Sequence, residues 1–454
     1  MANQTGLQFT FRADGLSHGE LLVTAFDYQE GLSQLFNVSL SLASRRDDVL
    51  PKEIVDQTGC LTIYQDGEIL RHVHGIVSHF SQGDTGHSHS LYHVTLVPAA
   101  ARLSLRHNSR IFQQQTALDI ISILLQEMQI DDYAFACQRT PSTREFCVQY
   151  RETDLDFIER LAAEEGLYYF FEQSAGKHTL VFSDNLQSNM QFTEALQYNN
   201  LAGGASKAPH ISEFGLRHEI ASSHTELKDY SFKKPHYAFL KQQNGLEKAW
   251  QNDNYEHFDY PGRFKDAGNG EAFSDARMRS LRSHAILAAG KSNIAQLIAG
   301  AKFDLVQHLQ TDFNRDWCVL SVQHHGEQPQ ALEEAGGEGM TRYHNDLTVF
   351  PSHLIWLPEQ NPKPRVNGPQ IVKVTGPQGE EIYCDEHGRV KVQFPWDRYS
   401  DNNENASCWI RVSQDWAGAQ YGSMAIPRIG HEVIVHFLEG DPDQPIITGR
   451  TYHA

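Results

Sequence analysis

The sequence predicts a mainly β protein with some α, an α+β chain built from more than one domain. Three observations carry that reading. The first hundred or so residues break into short runs of β-forming residues separated by polar turns, two capped helical stretches follow, and the last eighty or so return to alternation. A chain of 454 residues is also longer than one ordinary core organises, so two to four domains are expected.

The runs at 21–26, 36–40 and 61–64 are rich in Leu, Val, Ile and Phe, side chains that suit a pleated, half-buried surface. Asp66-Gly67, between Tyr64 and Ile69, signals a hairpin turn. Strands are expected at 72–80 and 91–97, joined by the Gly/Asp/Ser-rich loop 81–90. Repeated short strands with polar turns suggest a barrel or a strongly bent sheet.

Two helices come next. Thr116 is an N-cap candidate, with Leu118, Ile121, Leu125 and Met128 at helical spacing behind it. Thr153 caps the second helix, with Asp156 three residues on, as in a capping box. Phe157, Ile158 and Leu161 form its buried stripe, and Gly166 takes the position just past its end. The run Leu167-Tyr168-Tyr169-Phe170-Phe171 is then a strand buried on both faces or lying at an interface. Residues 199–211 are Gly/Ala/Asn/Ser-rich and suit a linker. A third helix is expected at 271–289, stopping at Gly290, followed by strands at 302–309, 316–323 and 346–350. Pro362, Pro364 and Pro369 mark a boundary. Beyond it the runs 390–394, 409–412 and 433–437 alternate, punctuated by Gly388, Gly418, Gly430 and Gly440-Asp441-Pro442. Five short strands in about eighty residues is the size of an OB-type barrel.

Acidic residues outnumber basic ones by 19. That balance keeps a chain soluble and argues against nucleic acid or an anionic membrane as its main partner. Met1 leads into the polar run 2–6, so no Sec-type signal peptide is expected, and no apolar stretch is long enough to span a bilayer. The expected site of synthesis is therefore the cytoplasm. The six cysteines, Cys60, Cys137, Cys147, Cys318, Cys384 and Cys408, have no CxxC spacing and are expected as reduced thiols. Cys137 and Cys147 flank an expected hairpin turn around Pro141, which leaves their approach open.

The richest metal-like cluster is His72, His74, His79, His87, His89 and His93, in which His72 and His74 share one strand face. A hairpin with a polar loop in a histidine-rich chain is the stronger explanation of it, and His324-His325 is a weaker pair still. Paired carboxylates of the kind used in glycoside hydrolysis are found by type at Asp154 with Asp156 and at Glu164-Glu165. The second helix accounts for all four as cap and exposed face. No GxSxG, HExxH, Walker A or GxGxxG motif is present. No catalytic, cofactor-binding or metal-ligating residue is assigned, and no cofactor is expected.

The C-terminal stretch carries a resemblance. Glu381-Ile382-Tyr383, Asp385 and Gly388-Arg389-Val390-Lys391-Val392-Gln393-Phe394-Pro395-Trp396-Asp397 open it. Cys408-Trp409-Ile410-Arg411-Val412-Ser413, Trp416-Ala417-Gly418 and Ile426-Pro427-Arg428-Ile429-Gly430 continue it. Glu432-Val433 and Phe437-Leu438-Glu439-Gly440-Asp441-Pro442-Asp443 close it. In this order the residues resemble the OB-fold of the VgrG family, the spike proteins of type VI secretion. Earlier segments are similar to that family's hub more loosely: His74-Gly75, the run from Tyr150 to Phe157, Glu164-Glu165-Gly166, and Gly300-Ala301-Lys302-Phe303-Asp304-Leu305 with His308.

The resemblance implies a phage-hub-like architecture: a first β-barrel at 1–100, a middle α/β region at 101–198, a second barrel with a helix at 199–370, and an OB-fold neck at 371–454. It implies a homotrimer whose paired barrels make a pseudo-six-fold ring capping a tube of hexameric Hcp rings. Baseplate components, effector proteins and a needle-tip protein of PAAR type would be its partners, with no nucleic acid and no stable membrane insertion. The protein would be cytoplasmic before firing and then leave through the type VI machine. The family usually continues past the OB-fold into a β-helix needle, whereas this chain stops at Ala454, so no piercing segment is assigned to it. His453 is a smaller departure. The other readings are an OB-fold binding protein and a cell-wall glycoside hydrolase related to phage tail lysozymes. Against the first, Arg389, Lys391, Arg398, Arg411 and Arg428 interleave with Asp385, Asp397 and Glu432, a mixed surface and not a nucleic-acid groove.

Overall fold

Asp66 and Gly67 take φ of 51° and 88°, a left-handed pair that reverses the chain tightly, and Gln65 pairs with Glu68 across the turn. The expected hairpin forms there. The computed structural model describes residues 6–86, 88–200, 208–335, 339–418 and 421–452. The chain divides into two compact units. The first is Met1–Ala101, Ile130–Thr140 and Ala162–Gln360, and the second is Arg102–Gln129, Pro141–Leu161 and Asn361–Ala454.

In the first unit, twelve strands among the described residues share one sheet. Leu22–Gly31, Gln34–Ser44, Thr58–Gln65, Glu68–Thr85 and Ser90–Val97 are the five strands that β-former runs predict. Leu7–Ala13 adds an unforeseen strand beside Thr58–Gln65, burying Phe9 and Phe11. Glu68–Thr85 runs further than expected. Ser81, Gln82 and Thr85 pair with His93, Tyr92 and Ser90, so much of the polar stretch 81–90 is strand. At the centre of the sheet, Leu22–Gly31 lies beside Asp316–Glu327, which pairs on its other side with Arg342–Pro351. Strands from the two ends of the unit's sequence are thereby hydrogen-bonded neighbours.

The third helix corrects the sequence expectation. It spans Ala267–Leu281, not 271–289. Asp266 caps it, accepting the Asn269 N–H at 2.9 Å. Ile286–Ser292 is a strand, paired with Ile211–His218 on one side and Arg342–Pro351 on the other. Leu287 and Ala288 are buried there. Pairing on both edges outweighs the helix propensity of an Ala/Leu-rich run. Within the expected linker 199–211, the Asn199 N–H donates to the Ile211 carbonyl at 2.8 Å and Ile211 opens a strand. Residues 201–207 lie outside the described residues.

Gly166 takes φ of 73°, and the Leu167 N–H returns to the Ala162 carbonyl at 2.8 Å, closing the helix Asp154–Glu164 as expected. The chain then enters Tyr168–Gln173, which pairs with His178–Ser183, itself parallel to Tyr133–Ala136. Leu167 to Phe171 are all buried, so this aromatic run is a core strand. No hairpin surrounds Pro141. Tyr133–Ala136 joins the sheet just described, whereas Cys147–Thr153 pairs with His107–Phe112. All six cysteines are free thiols.

In the second unit, Thr116 caps Ala117–Glu127 and Asp119 returns the hydrogen bond, the reciprocal box expected there. The buried face is Ala117, Ile120, Ile121, Leu124 and Leu125, one step round the helix from the stripe read in the sequence. Five strands form the C-terminal sheet in the order Lys391–Gln393, Gln370–Thr375, Glu432–Phe437, Pro445–Thr451 and Arg411–Val412. Val372, Val374, Val392, Phe394, Val433 and Val435 fill its core, and Phe146, Val148 and Tyr150 pack into the same cluster. No helix among the described residues is long and apolar enough to cross a membrane.

Candidate functional site

The first unit holds a buried ionic chain at the centre of its large sheet. Arg71 donates to Glu30 Oε1 at 2.5 Å, to the Tyr28 hydroxyl at 3.1 Å, and to the Ala295 and Leu297 carbonyls at 3.1 and 2.9 Å. His324 Nε2 lies 3.0 Å from Glu30 Oε1 and its Nδ1 lies 2.6 Å from the Tyr343 hydroxyl. Asn345 donates to that hydroxyl at 2.9 Å and receives the Ser292 hydroxyl at 2.6 Å. Burial pushes the Glu30 carboxyl up, but Arg71 and His324 outweigh it and hold the group down at about 2. Burial and the charge of Arg71 hold His324 down at about 4, so its imidazole is neutral at pH 7. Five separate strands supply these residues. The chain is a structural lock across the sheet.

The motif residues of the second unit prove to be turn and cap devices. Asp385 accepts the His387 and Arg389 N–H groups at 3.1 and 2.9 Å and the Arg389 Nε at 2.7 Å. Gly388 makes that turn possible at φ of 66°. Gly440 takes φ of 73° and leads into Asp441 and Asp443, both ion-paired to the buried Lys363, with the Asp441 oxygen at 2.7 Å. The other oxygen of Asp443 accepts the Val148 N–H at 2.7 Å. Arg428 pairs with Glu381 at 2.9 Å, and Lys391 stands 5.2 Å above the Trp409 ring. These cations are engaged with acids and aromatics along the barrel.

Each unit also exposes large apolar side chains. On the first, Ile220, Tyr230, Tyr237, Trp250, Tyr255 and Phe258 stand out near the small sheet of His224–Asp229, Phe239–Asn244 and Glu256–Asp259. On the second, Trp416, Tyr421 and Met424 are each more than half exposed. Exposed apolar groups gathered locally mark association surfaces.

The residues weighed for chemistry are dispersed. His72 Nδ1 lies 3.3 Å from the Thr62 hydroxyl, His74 meets His178 at 3.2 Å, His93 meets Ser41, and His89 is buried. His79 is exposed, and His87 and His453 lie outside the described residues. Asp154 is buried against Arg106 and accepts the Gln149 amide at 2.8 Å. Asp156 caps its helix with Thr153. Glu164 pairs with Arg263 at 3.2 Å, and Glu165 pairs with Arg139. All four carboxylates have structural roles, but only Asp156 lies on an exposed face: Asp154, Glu164 and Glu165 are buried and held by arginines, contrary to the expectation, and the geometry gives the hydrolase reading no support.

Residues 29–330 match the phage tail baseplate hub (GPD) family, and residues 383–452 match the type VI secretion system/phage-baseplate injector OB domain. The chain belongs to the VgrG branch of the phage tail baseplate hub family. It is 55% identical, over 99% of its length, to the type VI secretion system spike protein VgrG3 of Vibrio cholerae, covering 45% of that protein. It is 56% identical over 99% of its length to the V. cholerae actin cross-linking toxin VgrG1, covering 42% of it. The chain thus spans less than half the length of these two relatives. Its fold is that of an Escherichia coli component of the type VI secretion system described as similar to the T4 tail proteins gp27 and gp5. The TM-score is 0.72 at 19% identity, covering 97% of this chain and all of that one.

Seen as a VgrG chain, the two sets of contacts fall into place. The hub match takes in Glu30, Arg71 and His324, and the injector OB match takes in Asp385, Arg389, Asp441 and Asp443. The signal that could have found the ionic lock in the sequence is faint: an acid, a base and an imidazole, each inside an apolar strand.

Proposed function

We propose that three copies of this chain form the hub and neck of a type VI secretion spike. Two related barrel regions, 1–100 and 199–370, would join around the middle region 101–198, with 371–454 as the neck. The assembly would cap the Hcp tube, dock on baseplate components and leave the cell with effectors and a tip protein carried beyond the neck. Its work is mechanical and calls for no reacting site, which is why the role is read as non-enzymatic.

The observation that carries this reading is identity of 55% over 99% of the chain to a protein named as a type VI spike. The buried lock and the double ion pair at Lys363 support it physically, since a part driven by contraction needs rigid units. Exposed aromatics on both units supply surface for large interfaces. The test is solution mass by light scattering across a concentration series. Three times 51.4 kDa is the expected result. A monomer at every concentration would overturn self-assembly by these residues.

A further inference from the structure

We propose that the face of the large sheet carrying His325, His344 and Asp346 is a binding site for a borderline divalent metal ion such as Zn2+, with Asp27 as its outer support. The proposal is independent of the spike reading.

The site follows from strand register. His325 lies opposite Asp27 on the neighbouring strand on one side and opposite His344 on the other. Three side chains therefore stand in a row across three central strands. Asp346 is two residues beyond His344 and shares its face, because side chains alternate along a strand. One ligating atom from each of His325, His344 and Asp346 lies within 4.8 Å of the other two. The imidazoles of His325 and His344 are stacked, with centroids 4.8 Å apart and planes at 22°. In a tetrahedral zinc site the donor atoms stand about 3.3 Å apart. Closing that gap requires at most about 1.5 Å of movement from side chains that are half-buried or exposed.

The second observation concerns the tautomer. His325 Nδ1 is 2.5 Å from Asp27 Oδ1, and His325 Nε2 is 3.6 Å from Asp346 Oδ2. In the neutral tautomer that donates Nδ1–H to Asp27, the lone pair of Nε2 is turned toward Asp346, on the side where a cation between the two would sit. A carboxylate behind a ligating histidine is the usual means of orienting the ring and raising its basicity. Charge also balances: a dication, one ligating carboxylate and one supporting carboxylate sum to zero, with two neutral imidazoles. Nitrogen donors select zinc, nickel or copper over calcium or magnesium. The bound ion would clamp Asp316–Glu327 to Arg342–Pro351, and through Asp27 to Leu22–Gly31.

The test uses the full chain, stripped with a chelator and titrated with Zn2+ in competition with a chromophoric indicator. One equivalent per chain is expected, weakened at least tenfold by His344→Ala and also by His325→Ala. Asp27→Asn should retain the equivalent with roughly ten- to hundredfold lower affinity, and His284→Ala, at another surface histidine, should change nothing. Co2+ should give the visible absorption of a low-coordinate nitrogen-ligated site, absent in His344→Ala. Zn2+ should raise the unfolding temperature of the native chain and not that of His344→Ala. His344 is exposed, so its loss leaves the fold intact, which circular dichroism checks. No stoichiometric uptake by the native chain, or equal uptake by His344→Ala, would overturn the proposal.

Discussion

Arg71 and Glu30 meet at 2.5 Å inside the large sheet, each with 5% of its side chain exposed. Removing one partner of a buried pair strands the other charge, which costs about 3–5 kcal/mol. Glu30→Gln should therefore lower the stability of the hub unit by that amount, measured by chemical denaturation followed in near-ultraviolet circular dichroism. Glu30→Met with Arg71→Met should recover most of the loss, because no buried charge then remains. Equal damage from the single and double variants would mean that the pair matters by shape alone.

Two buried histidines set an acid limit on the hub unit. Burial and Arg71 hold His324 down from 6.5 to about 4, and burial and His74 do the same for His178. Each unfolded histidine takes up a proton near pH 6.5 that the folded one refuses until about 4. Stability is thus undiminished above 6.5 and falls as the pH drops through that window, by on the order of 2–3 kcal/mol per histidine. Glu30, with its folded value at about 2 against 4.5, adds a further loss only from about 4.5 downward. Unfolding midpoints between pH 7 and 4 check the first limb. His178→Gln keeps an acceptor for the Ala99 N–H and should flatten that limb by about one proton.

Lys363 plays the corresponding part in the second unit. It is 6% exposed and faces Asp441 and Asp443 together, and Asp443 also holds the Val148 N–H. Lys363→Met would remove the cation that these two neighbouring carboxylates share. The expected cost is about 3–5 kcal/mol, with faster amide exchange at Val148 as the local sign. Exchange at Val148 equal to that of the native chain would show that Asp443 keeps its place without the lysine.

How much of this was legible in the sequence depends on distance along the chain. The boxes at Thr116–Asp119 and Thr153–Asp156, the Asp66-Gly67 turn and the Gly166 stop are local signals, and the structure forms all four. The helix expected at 271–289 ends at Leu281 because Ile286–Ser292 is defined by its partners on two edges, which propensity does not see. The small sheet of His224–Asp229, Phe239–Asn244 and Glu256–Asp259 leaves no signal in the sequence because its strands are polar and short. Glu30, Arg71 and His324 come together only through the register of long-range pairs. His325 adjoins His324 in the sequence, yet alternation sends one to the core and the other outward. The partner that matters for His325 is His344, on the next strand.

Trp416 tests whether the exposed aromatics of the second unit serve association. Its side chain is 65% exposed, with Tyr421 at 63% and Met424 at 74%, and the Trp416 and Tyr421 rings meet edge to face at 5.8 Å. Within one chain this cluster contributes little burial, so Trp416→Ser should leave the unfolding temperature of the dilute chain within about 2 °C. At an interface, an aromatic anchor of this kind contributes about 2 kcal/mol, equivalent to roughly thirtyfold in association. A closed trimer has three such interfaces and its midpoint concentration follows the square root of the association constant, so light scattering on Trp416→Ser should show the trimer forming only at concentrations on the order of a hundredfold higher than for the native chain. An unchanged mass profile would place the association surface elsewhere, with the cluster at Tyr255 and Phe258 of the first unit as the next to substitute.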